Sequence, residues 1–360
     1  MTTPLGGSTT APYGADGSTA PSQDAGRPDT RFALAHLSDP HLPGHLDGWP
    51  VAMLNKRVFG YLSWRLHRAG IHRQEVLDAL RQDLLRLRPD HVAVTGDIVN
   101  ISLPAEFRRA GEWLRTLGMP ADVSVVPGNH DAYVHVSWER SWAYWSEFLR
   151  GDTPPPGAAR RTEVPAEAWF PVVRRRGPLA LVGLSTAVPT APGRATGTLG
   201  RSQLDRLARS LRELGAAGLF RVVLLHHPPH PAGAPATKVL TDAEHLQRVI
   251  AEQGAELVLH GHEHRLRMHE LPGRDGTVPV FGVASASLLP QGSRVTAGQY
   301  HIHYVSRHPD GWAMETHIRS FDVHHHRFVE THRLQRVLHR GGTAVAFRAA
   351  SPGSTPTPAL

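Results

Sequence analysis

Short β-rich runs and amphipathic helical runs alternate along most of this chain. The pattern predicts strands over residues 32–37, 91–95, 123–126, 179–184, 222–225, 257–260 and 278–283, with two more over 300–306 and 312–321. Helical spacing appears between them. Residues 74–88 place Val76, Leu77, Leu80, Leu84 and Leu87 on one face, and 202–214 do the same with Leu204, Leu207, Leu211 and Leu214. Thr241 or Asp242 is the expected cap of a helix ending near Gln253. Such alternation predicts a layered α/β domain. Residues 1–30, rich in Gly, Ser, Thr, Ala and Pro, show no apolar period and are expected to form a disordered tail. The end of the chain from Gly341 has the same character, so residues 323–360 are read as a mostly loose extension and 31–322 as the folded domain.

Composition narrows the chemistry. The 360 residues include no cysteine, so any metal must be held by imidazole, carboxylate or amide groups. No run approaches the roughly 20 apolar residues of a membrane-spanning helix, and the N-terminus lacks a basic stretch followed by an apolar one, so a cytoplasmic location is expected. The net charge of +7 comes almost wholly from arginine, since Lys56 and Lys238 are the only lysines. This charge is read as favouring solubility rather than as the footprint of a nucleic-acid partner.

The informative residues lie where strands end. Five predicted strands are each followed by a polar cluster: Asp39-Pro40-His41, Gly96-Asp97, Gly128-Asn129-His130-Asp131, His226-His227-Pro228 and Gly261-His262-Glu263-His264. Open α/β sheets place their sites in crevices at the carboxyl ends of strands, so clusters far apart in sequence can meet. A carboxylate offers enough lone pairs to bridge two cations, and neutral imidazoles complete a shell without adding negative charge. Asp39 and His41 stand two residues apart, as do His262 and His264, and either pair can point at one location. Glycines at 96, 128 and 261 are expected to permit the sharp turns required.

These five blocks resemble the signature of the metallophosphoesterase, or calcineurin-like phosphoesterase, superfamily: D-x-H, GD, GNHD, H and GHxH. The likeness runs over about 32–287 and, through the SDPHL opening and the HHPP block, is nearest the bacterial branch that includes class III cyclic nucleotide phosphodiesterases. It implies a four-layer α/β/β/α sandwich of two mixed β-sheets flanked by helices. It also implies two divalent metal ions (Mn, Fe, Zn or Co). Asp39, His41 and His264 would hold the first ion; Asn129, His226 and His262 would hold the second, and Asp97 would bridge them. His130 would stand close to the attacked phosphate as a catalytic imidazole, and Asp131 would orient that turn. His227 would pack or touch substrate. The implied reaction is hydrolysis of a small-molecule phosphate ester by a hydroxide bridging the two ions. Two dications less two aspartates and one hydroxide leave about one positive charge, which favours a phosphodiester monoanion over a monoester dianion. The tyrosine that purple acid phosphatases supply after the GD block is absent here, where Ile98, Val99 and Asn100 follow Asp97.

Other features carry less. Residues 49–72 insert a helical segment with Lys56, Arg57, Arg65 and Arg68, read as a helical pair beside the site or as a lid over substrate. His301 and His303 alternate on one face of a predicted strand and His324–His326 form a run; with 25 histidines in the chain, core or surface placement is the expectation for both groups, not a metal site. The competing functions are a nuclease of the same superfamily, supported only by the basic charge, and a non-catalytic scaffold that keeps the fold. The intact ligand set argues against the latter.

Overall fold

The computed structural model describes residues 31–43, 56–58, 60, 70–153, 169–230, 233–290, 297–339 and 348–350. The tail 1–30 and most of the 49–72 insertion therefore lie outside the described residues. Two mixed sheets form the centre. The first contains β1 (Phe32–Leu37), β2 (His91–Val94), β3 (Val123–Val125), β10 (Gln299–His308), β11 (Gly311–Asp322), β12 (Arg327–His339) and β13 (Arg348–Ala350), in the order β13-β12-β11-β10-β1-β2-β3. The second contains β4 (Val172–Arg176), β5 (Leu179–Gly183), β6 (Phe220–Leu224), β7 (Leu257–His260), β8 (Arg267–Gly273) and β9 (Gly276–Gly282), in the order β4-β5-β6-β7-β9-β8. Helices α1 (Gln74–Leu87) and α2 (Pro104–Arg115) belong with the first sheet, and α3 (Arg201–Ala216) and α4 (Ala243–Gln253) cover the second.

The parallel strands β1–β2–β3 and β5–β6–β7–β9 are buried on both faces, which is why they read as unbroken apolar runs. Alternate residues separate two cores. Leu181, Val222, Leu224 and Leu259 join the core shared with the first sheet, while Val182, Val223 and Val258 meet Leu204, Leu207, Leu211, Leu246 and Ile250 of α3 and α4. The expected cap residue Asp242 does begin α4, but its carboxylate accepts the backbone N–H groups of Leu199 and Gly200 at the start of α3 (3.0 and 2.8 Å) rather than capping its own helix.

Two expectations need correction. Residues 323–360 are not uniformly loose: 327–339 form the long strand β12, paired along its length with β11, and 348–350 add β13. The sheet edges β4 and β8 and helix α2 also appear where no element was expected. Both β4 and β12 carry polar side-chain contacts in addition to their strand pairing. Arg174 in β4 is buried and donates to the carbonyls of Pro120 (2.6 Å), Val123 (2.7 Å) and Arg150 (2.6 Å), while β12 carries the Arg333–Glu330 pair (2.9 Å) and an Arg336–Glu270 pair. A pattern of apolar positions cannot report such elements.

Candidate metal centre

The carboxyl ends of β1, β2 and β3 in one sheet and of β6 and β7 in the other bring the five blocks together. Backbone hydrogen bonds set the frame: Asp39 N–H donates to Gly96 O (2.9 Å), His41 N–H to Asp97 O (3.1 Å), and Gly261 N–H to His226 O (3.1 Å). Within it, five of the candidate ligands hold left-handed backbone conformations: Asp39 (φ 52°), His41 (φ 37°), Asp97 (φ 54°), His262 (φ 71°) and His264 (φ 54°). Each such residue costs on the order of 1–3 kcal/mol, and strain of this kind persists where surrounding structure enforces it for function. Paired at i and i+2, it turns Asp39 and His41 toward one group of donors and divides His262 and His264 between two adjacent groups.

Of the three glycines singled out, only Gly96 (φ 91°) adopts a left-handed conformation. Gly128 and Gly261 are required for room instead. A Cβ on Gly261 would stand 1.9 Å from Ser38 Oγ and 2.4 Å from Asp39 Oδ2.

The donor atoms converge. His264 Nε2 lies 3.1 Å from Asp39 Oδ1 and 3.2 Å from His41 Nε2, while His226 Nε2 lies 3.3 Å from Asp97 Oδ2, 3.2 Å from Asn129 Oδ1 and 3.3 Å from His262 Nδ1. Asp97 stands between the two groups, with Oδ2 also 3.8 Å from His41 Nε2. Neighbouring carbonyls fix the tautomers. His41 Nδ1–H donates to Val99 O (3.3 Å), His226 Nδ1–H to Thr95 O (2.7 Å) and His262 Nε2–H to Lys238 O (3.0 Å). The opposite nitrogen of each ring is left for a proton or a ligand, and those of His226 and His262 face one another at 3.3 Å. Two acceptors so placed repel unless a proton or a cation lies between them.

Electrostatics point the same way. Burial raises the Asp97 carboxyl, but the imidazoles of His226, His130 and His41 outweigh it and hold the group well below the usual carboxylate range. Burial lowers the His226 imidazole, yet Asp97 and Asp39 beside it raise it to about 9. The buried carboxylates thus call for positive charge at the lone pair of His226, where a proton and a metal ion compete for the same electrons.

His130 and Asp131 support this frame. Asp131 accepts the backbone N–H of Asp97 (2.8 Å), Ile98 (3.0 Å), Val99 (3.1 Å) and Gly128 (2.8 Å). Its carboxyl is pushed up to about 7, by burial first and by Asp97 second. His130 donates its backbone N–H to Asp97 Oδ1 (2.7 Å) and its Nδ1–H to Asn100 O. His227 is packed rather than directed at the centre, with Nδ1 on Thr186 Oγ1 (2.7 Å) and Nε2 on Ala195 O (3.2 Å).

Of three further neighbours, His72 and Tyr133 escaped the sequence reading, and Lys56 was marked only as a charge of the insertion. His72 lies 4.8 Å from the His41 ring and 5.8 Å from that of His264, with Nδ1 on Ser287 Oγ (2.6 Å). Tyr133 stacks on His130 at 5.6 Å, and the Lys56 ammonium sits 4.2 Å over the Tyr133 ring while donating to Thr190 Oγ1 (3.0 Å). None stands directly after a predicted strand, so no positional signal marked them. Lys56 and Arg57 are the described charges of the insertion, and Arg57 is turned away onto the carbonyls of Ile101 (3.0 Å) and Ser102 (2.7 Å). No described helix is long and apolar enough to cross a membrane.

Residues 32–266 match the model of the calcineurin-like phosphoesterase family. A cAMP/cGMP dual specificity phosphodiesterase of Mycobacterium tuberculosis is 30% identical over 280 residues, covering 76% of this chain and 72% of the relative. The glycerophosphodiester phosphodiesterase GpdQ of Enterobacter lignolyticus is 26% identical over 304 residues, covering 79% and 95%. Among solved structures, a dimetal phosphatase from Danio rerio shares the fold with a TM-score of 0.53 at 15% identity, over 83% of this chain and 98% of that one. The family match thus spans all five blocks of the strand-end cluster, and the chain belongs to the calcineurin-like phosphoesterase family, as a metal-dependent hydrolase of phosphate esters.

Proposed function

We propose that this enzyme hydrolyses phosphodiesters at a centre of two divalent cations, with Asp39, His41 and His264 holding one, Asn129, His226 and His262 the other, and Asp97 shared. The observation that carries this reading is the convergence of imidazole nitrogens, His41 Nε2 on His264 Nε2 at 3.2 Å and His226 Nε2 on His262 Nδ1 at 3.3 Å, on either side of one buried carboxylate. The donor set of imidazole, carboxylate and amide admits Mn, Fe, Zn or Co. Bound there, the ions would supply Lewis acidity and a water pKa lowered from about 15.7 toward 7.

The chain's own groups do the rest. Asp131 holds the Asp97 turn through four backbone N–H groups, so the bridging carboxylate is fixed before substrate arrives. His130, its Nδ1–H committed to Asn100 O, gives or takes the proton at Nε2 and so serves the leaving oxygen. Tyr133 keeps that ring in its plane, and Lys56 above Tyr133 adds one positive charge at the same edge. A phosphodiester monoanion matches the single net positive charge of the filled centre. The two similar phosphodiesterases, one acting on cyclic nucleotides and one on glycerophosphodiesters, agree with that preference.

The test is a panel of manganese-loaded enzyme with a generic aryl phosphodiester, the matching monoester, cyclic AMP, a glycerophosphodiester and single-stranded DNA. Diester turnover well above monoester turnover supports the reading. Preferred, salt-sensitive cleavage of DNA would move the enzyme to the nucleases, and no turnover with any ester would leave only a scaffold.

A further inference from the structure

Behind the strand-end centre lies a second cluster of histidines that the reaction does not use. His36 on β1 and His301 on β10 are directly opposite in the antiparallel register, and His303 follows two residues on, so all three side chains share one face. That face looks across to the second sheet, where the Phe281 ring lies 5.9 Å from His301 and 5.1 Å from His303. All three imidazoles are completely buried, and their ring centroids form a near-regular triangle with sides of 5.9, 6.0 and 6.3 Å.

Each ring uses one nitrogen on a polar neighbour: His36 Nε2 on Thr95 Oγ1 (2.9 Å), His303 Nδ1 on Thr316 Oγ1 (2.9 Å) and His301 Nε2 on Gln299 Oε1 (3.4 Å). The remaining nitrogens, His36 Nδ1, His301 Nδ1 and His303 Nε2, have no hydrogen-bond partner among the described residues. One ligand nitrogen from each ring lies within 4.8 Å of the other two. An unsatisfied buried polar atom costs about 1–3 kcal/mol, so several together in one dry layer need a physical reason.

We propose that His36, His301 and His303 form a third metal site, a structural one, which binds a single transition cation of the zinc class between the two sheets. Burial first, and nearby imidazoles second, lower the pKa of each of the three rings, that of His301 to about 3, so at neutral pH all are uncharged and in the ligating form. With no carboxylate among the ligands, hard cations such as magnesium and calcium are excluded and cations with affinity for imidazole are selected. Two imidazole nitrogens on one tetrahedral zinc stand about 3.3 Å apart, so capture draws the rings inward from their present spacing. The site stands one layer behind the reaction: His36 meets the Thr95 side chain, and the Thr95 carbonyl accepts His226 Nδ1–H at 2.7 Å. A cation here would join β1 and β10 beneath the strand-end ligands.

Chelator-stripped full-length protein, reloaded with zinc and desalted, is analysed for metal per chain and crystallised for anomalous diffraction at the zinc edge. The expected result is an anomalous peak inside the His36–His301–His303 triangle. That peak persists in Asp97→Asn, whose strand-end centre is disabled, and in His303→Gln it disappears with the loss of one zinc per chain while diester hydrolysis continues. If His303→Gln fails to fold, the wild-type map alone decides. No peak in the triangle, or equal zinc content in wild type and a folded His303→Gln, overturns the proposal. Loss of metal at the strand-end centre alone bears on the proposed function and leaves this site standing.

Discussion

Asp131 Oδ2 accepts the backbone N–H of Asp97 at 2.8 Å, while Asp97 Oδ1 accepts the backbone N–H of His130 at 2.7 Å. The two aspartates thus hold each other's turns, and only Asp97 also meets the imidazoles of the centre. Replacing Asp131 by Asn puts an amide donor where two oxygens accept four backbone N–H groups. Unfolding in denaturant is expected to show a loss of about 1–3 kcal/mol, with weaker metal retention because the Asp97 turn is no longer fixed.

Asp97→Asn and His130→Ala should separate binding from chemistry. The first removes the carboxylate shared by both groups of donors, so metal analysis should show depletion at the strand-end centre and assays almost no turnover. The second leaves every proposed ligand in place. It should retain metal and lose rate by about 10² to 10⁴, the range of a proton-transfer group. Equal metal loss in both variants would contradict the division of roles.

Gly261→Ala tests the steric frame. The added Cβ would meet Ser38 Oγ at 1.9 Å and Asp39 Oδ2 at 2.4 Å, so Asp39 must move. A folded protein with reduced metal affinity and activity is expected, measured by zinc or manganese titration. Undiminished affinity would show that Asp39 is not fixed by this contact.

Stability on the far side of the first sheet rests on a buried ion pair. Asp83 of α1 accepts from Arg319 Nε (2.6 Å) and Nη2 (3.1 Å) and from the Tyr300 hydroxyl. Asp83→Ala leaves the Arg319 guanidinium buried without its carboxylate, and thermal or chemical unfolding should show a cost of about 3–5 kcal/mol.

His91 is one local source of pH dependence. Burial first, with the Arg174 and Arg176 charges behind it, lowers the His91 pKa to about 3. An unfolded histidine takes up its proton near pH 6.5, so between that value and about 3 the unfolded state binds more protons and stability falls as the pH falls. At pH 5 this single group should account for about 2 kcal/mol of lost stability. His91→Gln, which can still meet Ser124, should show a flatter stability curve between pH 7 and 5 than wild type; parallel curves would contradict the assignment.

How much of this was legible in the sequence follows from how each element is held. The buried parallel strands and the helices with leucine faces announced themselves because apolar burial writes a period into the chain. The strand-end blocks were legible because few residue types can do their chemistry, and the order of the blocks marked the family. Strands β4 and β12 were not, since Arg174 and Arg336 tie them to carbonyls and a carboxylate contributed by distant segments. The left-handed conformations of Asp39, His41, His262 and His264 were equally hidden, because spacing shows that two side chains can meet but not the backbone that makes them do so. The His301-x-His303 alternation was visible in the sequence, but His36 and His72 meet their partners through tertiary contact between segments far apart in sequence, which no local pattern reports.

The most direct test of the catalytic account is an anomalous difference map from crystals loaded with manganese. Two peaks are expected at the strand ends, one contacted by Asp39, His41 and His264, the other by Asn129, His226 and His262, with Asp97 touching both. A single peak, or none within reach of these seven side chains, would contradict it.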